Sequence, residues 1–247
     1  MFKKIITIVF LGVMMATLMS VILGCEDIDS KTANAIQDRL AKKYGESFTV
    51  ASLGNRIGYD TVTAYVYADN DPSMRFTAKL DKNLKLVFDD YGYRSVCRRT
   101  QNIVESAFSD EGLEICAYCE YEYLDNSLGL TAAPSAYIEA TSSSYVAIAM
   151  IVKDHDEVSG ERILRSLEVL HKEFGDVLIG IDIFVVSAED YSAVYDKVLQ
   201  DTTFFDAARL TRLGAEGQIR EVTLQYTAEG ATMTEEQIDA ALAKGAE

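Results

Sequence analysis

Cys116-Ala117-Tyr118-Cys119 is the stretch whose residue types and spacing come closest to chemistry. Two cysteines with two residues between them are the arrangement of a dithiol redox site, and Cys97 upstream can pair with either one. Redox work needs the first thiol at a helix N-terminus, where the local field lowers its pKa. The surroundings, Glu114 to Tyr123, read as a strand instead. Residues three apart on a strand point to opposite faces, so these two thiols diverge. The competing reading makes Cys97, Cys116 and Cys119 small core residues or one structural disulfide. Zinc would need a fourth ligand, and no histidine is near.

Other polar residues fall at informative places. Asp154-His155-Asp156-Glu157 gathers oxygen ligands and an imidazole, but lacks the glycine and spacing of a calcium loop, so a solvated turn is expected. His171 falls on the outer face of its helix, and no HExxH accompanies it. Asp182 interrupts the apolar run Leu178 to Val186, where a carboxylate must pair, protonate or reach the sheet edge; it is a candidate site carboxylate. Arg94, Arg98 and Arg99 share the outer face of a helix. They either meet carboxylates from elsewhere or form an anion or partner patch. No nucleophile elbow, P-loop, S-x-x-K or dinucleotide fingerprint is found, so the reading is a non-enzyme that needs no metal and no cofactor.

These residues must be held by elements that the pattern predicts. Ala33, Ile36, Leu40 and Tyr44 recur at helical spacing, with Gly45 as a stop. Phe48 to Leu53 and Thr61 to Tyr67 read as strands, the second alternating cleanly. Asp69 to Ser73 reads as a turn. Met74 to Leu80 and Leu84 to Phe88 flank Asp81-Lys82-Asn83, with Asn83 suited to the left-handed position of a hairpin. A helix from Tyr91 to about Phe108 follows, capped by Asp89 or Asp90, with Tyr93, Val96, Thr100, Ile103, Val104 and Ala107 inward. Asp125 to Ser135 reads as a loop and Tyr145 to Val152 as a strand. A helix runs from Gly160 to Phe174 between Ser159 and Gly175. Val177 to Val186 is a strand buried on both faces. Ser187 starts another helix, Gln218 to Tyr226 is a strand, and Thr234-Glu235-Glu236-Gln237 is a capping box before the last helix.

The fold class expected is α+β: antiparallel sheets packed against helices, in two small subdomains at 32–110 and 111–247. The α-β-β-β-β-α order over residues 31 to 110 is similar to cystatin-like and PepSY-like extracellular domains, by element order alone.

The 247 residues hold 23 basic and 39 acidic side chains and are 49% hydrophobic, with two prolines, which suits a globular chain. The acidic surface disfavours nucleic acid as a partner. Met1-Phe2-Lys3-Lys4 opens the chain, and Ile5 to Leu23 then carries no charge. This is the layout of an export signal. Ile22-Leu23-Gly24-Cys25 resembles the lipobox of bacterial lipoproteins. The resemblance implies cleavage between Gly24 and Cys25 and a diacylglycerol on the Cys25 thiol. The signal would then be 1–24 and the lipidated tether 25–31, with the body on the extracytoplasmic face of the cell membrane. The alternative is an uncleaved membrane-spanning anchor, which places the body on the same side.

The expected function is a lipid-anchored binding or accessory module for a protein or envelope component. Its grip would come from sheet edges or from the tyrosine-rich faces around Tyr65, Tyr67, Tyr118, Tyr121 and Tyr123. The alternatives are a thiol-active envelope enzyme using Cys116 and Cys119, and a small-molecule receptor.

Overall fold

The structure, a computed structural model, describes residues 29–54, 59–155, 158–199 and 204–243. The expected signal, Gly24 and Cys25 lie outside the described residues. Among the described residues no helix is long and apolar enough to cross a membrane. The fold is α+β, with a four-stranded sheet and a five-stranded sheet. The described chain divides into two compact units. One takes in the residues up to Asn70 with Thr77–Asp89; the other takes in Asp71–Phe76 and the residues from Asp90 onward. The long helix that starts at Tyr91 thus belongs to the second unit, whereas the sequence reading had grouped it with the strands before it.

Helix α1 covers 29–44, so it begins inside the expected tether. Ile36 and Leu40 are fully buried along its inner stripe. Gly45 ends it at φ +78°, a conformation that glycine adopts at little cost. Strands β1 (Phe48–Leu53), β2 (Thr61–Ala68), β3 (Asp71–Asp81) and β4 (Leu86–Asp89) follow in the sheet order β1-β2-β3-β4. Helix α1 is pinned to this sheet at its middle and at its C-terminal end. Gln37 donates to the Phe48 carbonyl at 3.0 Å, and Lys43 lies 2.7 Å from the buried Asp89. The turn before β3 is shorter than expected, because Pro72 and Ser73 already lie in the strand. In the hairpin that follows, the left-handed residue is Leu84 (φ +58°), not Asn83. The Asp81 carboxylate explains the shift: it accepts from the Asn83 and Lys85 amides, each at 2.9 Å, and closes the turn around Leu84.

The second unit is built on helix α2 (Tyr91–Asp110) and strands β5 (Ile115–Tyr121), β6 (Tyr145–Lys153), β7 (Leu178–Val186), β8 (Arg220–Thr227) and β9 (Gly230–Ala231), paired in that order. The pair β6–β7 is parallel and the others antiparallel, so this sheet is mixed rather than wholly antiparallel as expected. Helix α5 (Gly160–Phe174) forms the crossover between β6 and β7 that a parallel pair requires. Its cap is as expected: Ser159 accepts from the Arg162 amide, and Gly175 follows its last turn.

The expected loop after β5 holds two short helices, α3 (Asn126–Gly129) and α4 (Pro134–Thr141). Asp125 caps the first through the Ser127 and Leu128 amides, and Pro134 sits at the first turn of the second. One sheet face packs on α2, α4, α5 and α8 (Glu235–Ala243), burying Val96, Ile148, Met150, Leu167, Ile183 and Leu242 among others. The other face carries α6 (Ala188–Leu199) and α7 (Ala207–Leu213) over Cys116, Ile151, Phe184 and Val186. The capping box of α8 is reciprocal: Thr234 N donates to Gln237 Oε1 at 2.9 Å, and Gln237 N donates back to Thr234 Oγ1 at 3.4 Å.

Candidate functional site

Helix α2 and edge strand β5 bring together most of the residues that the sequence singled out. Cys97, Cys116 and Cys119 are free, buried thiols. Alternation along β5 sends Cys119 to the α2 side of the sheet and Cys116 to the α6 side, so the CxxC pair diverges as the strand reading requires. Burial pushes the Cys97 thiol up to about 12 and raises Cys116 and Cys119 well above the usual thiol range. At neutral pH these sulfurs are thiols rather than thiolates, the opposite of an activated redox pair.

The arginines are drawn into internal networks. Arg94 donates to Tyr118 Oη, and Tyr118 donates on to Glu120 at 2.8 Å. Asp90 lies 3.4 Å from Arg94 Nε, and Glu120 lies 3.8 Å from its Nη1. Asp90 therefore occupies the N-cap position of α2 without making a capping bond. Burial is the largest effect and works against the charge on Arg94, but the hydrogen bond to Tyr118 and the nearby Asp90 carboxylate help to keep the guanidinium protonated. For Tyr118, burial is the larger effect and raises the phenol, so it stays neutral as the middle link of the chain. Arg98 lies 3.6 Å from Asp71 and donates to Ser73 at 3.1 Å. Arg99 donates to the carbonyls of Gly129, Leu130 and Ala132, closing the end of α3. Arg94 and Arg98 meet a small cavity of about 30 Å³, also lined by Met74, Arg75, Cys97 and Cys119. Nothing in the sequence pointed to Met74 and Arg75 here, because a stretch read as the start of a strand gives no sign of which helix it will face.

Asp182 is half-buried and accepts from Thr223 on β8 at 2.6 Å. It lines the wall of an open hollow of about 390 Å³ with Phe184, Phe204, Phe205, Arg209, Arg212 and Glu221. Asp154 pairs with Arg220, and the Asp154 amide donates to the Val186 carbonyl at 2.7 Å. Asp156 and Glu157 lie outside the described residues. His171 faces Asp176 at 3.8 Å and the Tyr226 ring at a centroid distance of 5.5 Å. Among the described residues no group of three or more His, Cys, Asp or Glu could hold a metal ion.

The tyrosines part company. Tyr118 and Tyr121 are buried in the second unit, so they offer no grip at the surface. Their place on β5 explains it: α2 covers Tyr121 and α6 covers Tyr118. Tyr123 is exposed past the end of that strand. In the first unit, alternation turns Ala64, Val66 and Ala68 inward and Thr61, Thr63, Tyr65 and Tyr67 to the opposite face. Tyr65 is 40% exposed and pairs in register with Ser52; Tyr67 pairs with Thr49. On β3 and β4 the same face carries Thr77, Lys79 and Phe88, with Lys79 5.2 Å above the Phe88 ring and Phe88 37% exposed. The result is a sheet face of aromatic rings and hydroxyls that includes the Lys79 cation, on an acidic chain.

No family model matches the chain, and no curated protein matches it. Among solved structures it is similar to a DUF5037 family protein from Ruminococcus gnavus ATCC 29149, with a TM-score of 0.66 and 16% sequence identity. The match covers 85% of this chain and 98% of that one. At that identity the likeness is one of fold, and it extends through nearly the whole of the other protein.

Proposed function

We propose that the chain is a membrane-anchored extracytoplasmic lipoprotein whose folded body is a binding or accessory module for a protein of the cell envelope. The anchoring part of this reading rests on the sequence alone, on Lys3-Lys4, the uncharged run after them and Ile22-Leu23-Gly24-Cys25. The binding part rests on one observation, the exposed face of Tyr65, Tyr67, Lys79 and Phe88 with its threonines. Tyrosine suits such a face because its ring buries apolar area while its hydroxyl still finds a hydrogen bond. Lys79 favours a partner that presents carboxylates. Two acyl chains would hold the body at the bilayer, each buried methylene adding about 0.8 kcal/mol.

The test is cross-linking in intact cells followed by purification of the chain, wild type beside Tyr65→Ala/Tyr67→Ala. The same envelope protein should co-purify with the wild type and be lost from the double variant. Palmitate should label the wild type and not Cys25→Ala. Equal capture by both chains would overturn the binding part, and label that survives in Cys25→Ala would overturn the anchor. A second reading, a small-molecule receptor, draws on the hollow beside Asp182, whose volume falls in the range of ligand sites and whose floor is aromatic. The thiol-active alternative is opposed by the burial that keeps all three thiols protonated.

A further inference from the structure

The register between α2 and β5 distinguishes the three thiols. At one end Tyr93 Oη accepts from Tyr121 N at 3.0 Å and donates to Tyr121 O at 3.2 Å. At the other end Glu105 Oε1 accepts from Ala117 N at 3.2 Å and from Gln101 Nε2 at 2.9 Å. Between these pins, helix positions 93, 97 and 101 share one face at steps of about 6 Å. Strand positions 121, 119 and 117 share one face at steps of about 7 Å, running the other way. The two ladders have nearly the same pitch, so Cys97 falls opposite Cys119. Both cysteines line one small cavity and belong to one core layer, while Cys116 belongs to the layer on the other side of the sheet.

We propose that Cys97 and Cys119 are a disulfide-forming pair, closed when the chain meets a disulfide oxidant, and that Cys116 stays a thiol. The oxidant can be a small disulfide or an envelope thiol oxidase in its disulfide form. The thiolate of one cysteine attacks a sulfur of the oxidant and displaces one of its two sulfurs as a thiolate. The second cysteine, as thiolate, attacks the mixed disulfide, forms the bond between the two Sγ atoms and releases the other sulfur. Two electrons pass to the oxidant, and the two thiol protons leave with its two reduced sulfurs. Cys97 is 5% exposed and Cys119 2%, so the reaction waits on local opening of the edge and is slow. Once made, the bond staples α2 to the strand that its hydrogen bonds already hold. The assignment stands apart from the envelope reading, which would supply only the compartment in which the bond persists.

The purified full chain is incubated with oxidised glutathione under native conditions, alkylated in denaturant and mapped by mass spectrometry. Cys116 and Cys119 fall on one tryptic peptide, so variants identify the bond. The wild type and Cys116→Ala should yield the peptide of Cys97 cross-linked to that peptide, and Cys119→Ala should not. Oxidised wild type and oxidised Cys116→Ala should each melt roughly 5–10 °C above their reduced forms. Cys97, Cys116 and Cys119 all alkylated in the oxidised wild type would overturn the pairing. So would a cross-link that survives in Cys119→Ala but not in Cys116→Ala, or glutathione held on Cys97 with no internal bond.

Discussion

Asp190 is the buried carboxylate with the most to lose. It follows Ser187, whose hydroxyl caps α6: Asp190 N donates to Ser187 Oγ at 3.1 Å, and that hydroxyl donates to Asp190 Oδ2 at 2.9 Å. The carboxylate also accepts from Glu216 N at 2.8 Å and Gly217 N at 3.1 Å, tying α6 to the approach of β8. The Glu216 amide contributes most, and the donors together hold this carboxyl below the usual range. A depressed pKa means stability that is present above the unfolded value of about 3.9 and lost as pH falls through the folded one. Asp190→Ala should cost about 1–3 kcal/mol at pH 7. Its deficit should begin to shrink as pH falls below about 4 and go on shrinking toward the depressed folded value, where the wild type gives up its charged bonds. Urea midpoints for both chains at pH 7 and pH 3.5 check this, and a deficit of equal size at both would contradict the account. The sequence held half of this site. Ser187 to Asp190 reads as a helix start, but nothing local says that the same carboxylate serves two amides 26 and 27 residues on. The divergence of Cys116 and Cys119 was legible for the opposite reason, because it needs only the period of a strand. Apart from Asp90, one turn before Arg94, the partners of Arg94, Arg98 and Arg99 were not legible, since they depend on tertiary contacts.

At the scale of elements, boundaries set by local chemistry agree closely with the sequence. Ser159 and Gly175 bracket α5, and Thr234 with Gln237 opens α8. Where the chain uses an element too short for a hydrophobic period, the reading fails. Helices α3 and α7 are only four and seven residues long; each is capped, by Asp125 and Asp206, and α7 adds just one fully buried side chain, Leu210. Helix α3 is also held by contact. A Cβ at Gly92 would lie 2.0 Å from the Asn126 carbonyl oxygen, and one at Gly129 would lie 2.1 Å from the Gly92 oxygen. The backbones of α2 and α3 therefore meet directly, and Asn126 Oδ1 accepts from Tyr93 N at 2.9 Å across the contact. Gly92→Ala must push the two backbones apart and should cost about 2–3 kcal/mol. Thr234→Ala removes one cap on an exposed helix end and should cost about 1 kcal/mol. Thermal or urea unfolding of the two variants should rank them in that order. Equal losses would mean that α3 can slide away from α2 freely.

Across the whole molecule, charge and connectivity set different constraints. Without Lys3 and Lys4 the chain holds 21 basic and 39 acidic residues, a net charge of −18 that favours solubility and repels anionic partners. The described chain divides into two compact units, and some residues bond within one of them. Asp89 is such a residue. It is 3% exposed at the end of β4, 2.7 Å from Lys43 and bonded to the Tyr44 hydroxyl. Removing one partner of a fully buried ion pair costs about 3–5 kcal/mol, because the other charge is stranded. The Lys43 side chain is 46% exposed, so it can turn to water, and the loss from Asp89→Ala should be nearer the 1–3 kcal/mol of missing hydrogen bonds. That loss should fall where the bonds are. Native-state hydrogen exchange of the variant should show faster exchange across α1, β1, β2 and β4. Amides of α5, β6, β7 and β8 should keep their wild-type rates. Acceleration spread evenly over both groups would mean that the two units open as one, and that Asp89 stabilises the chain as a whole rather than the sheet it closes.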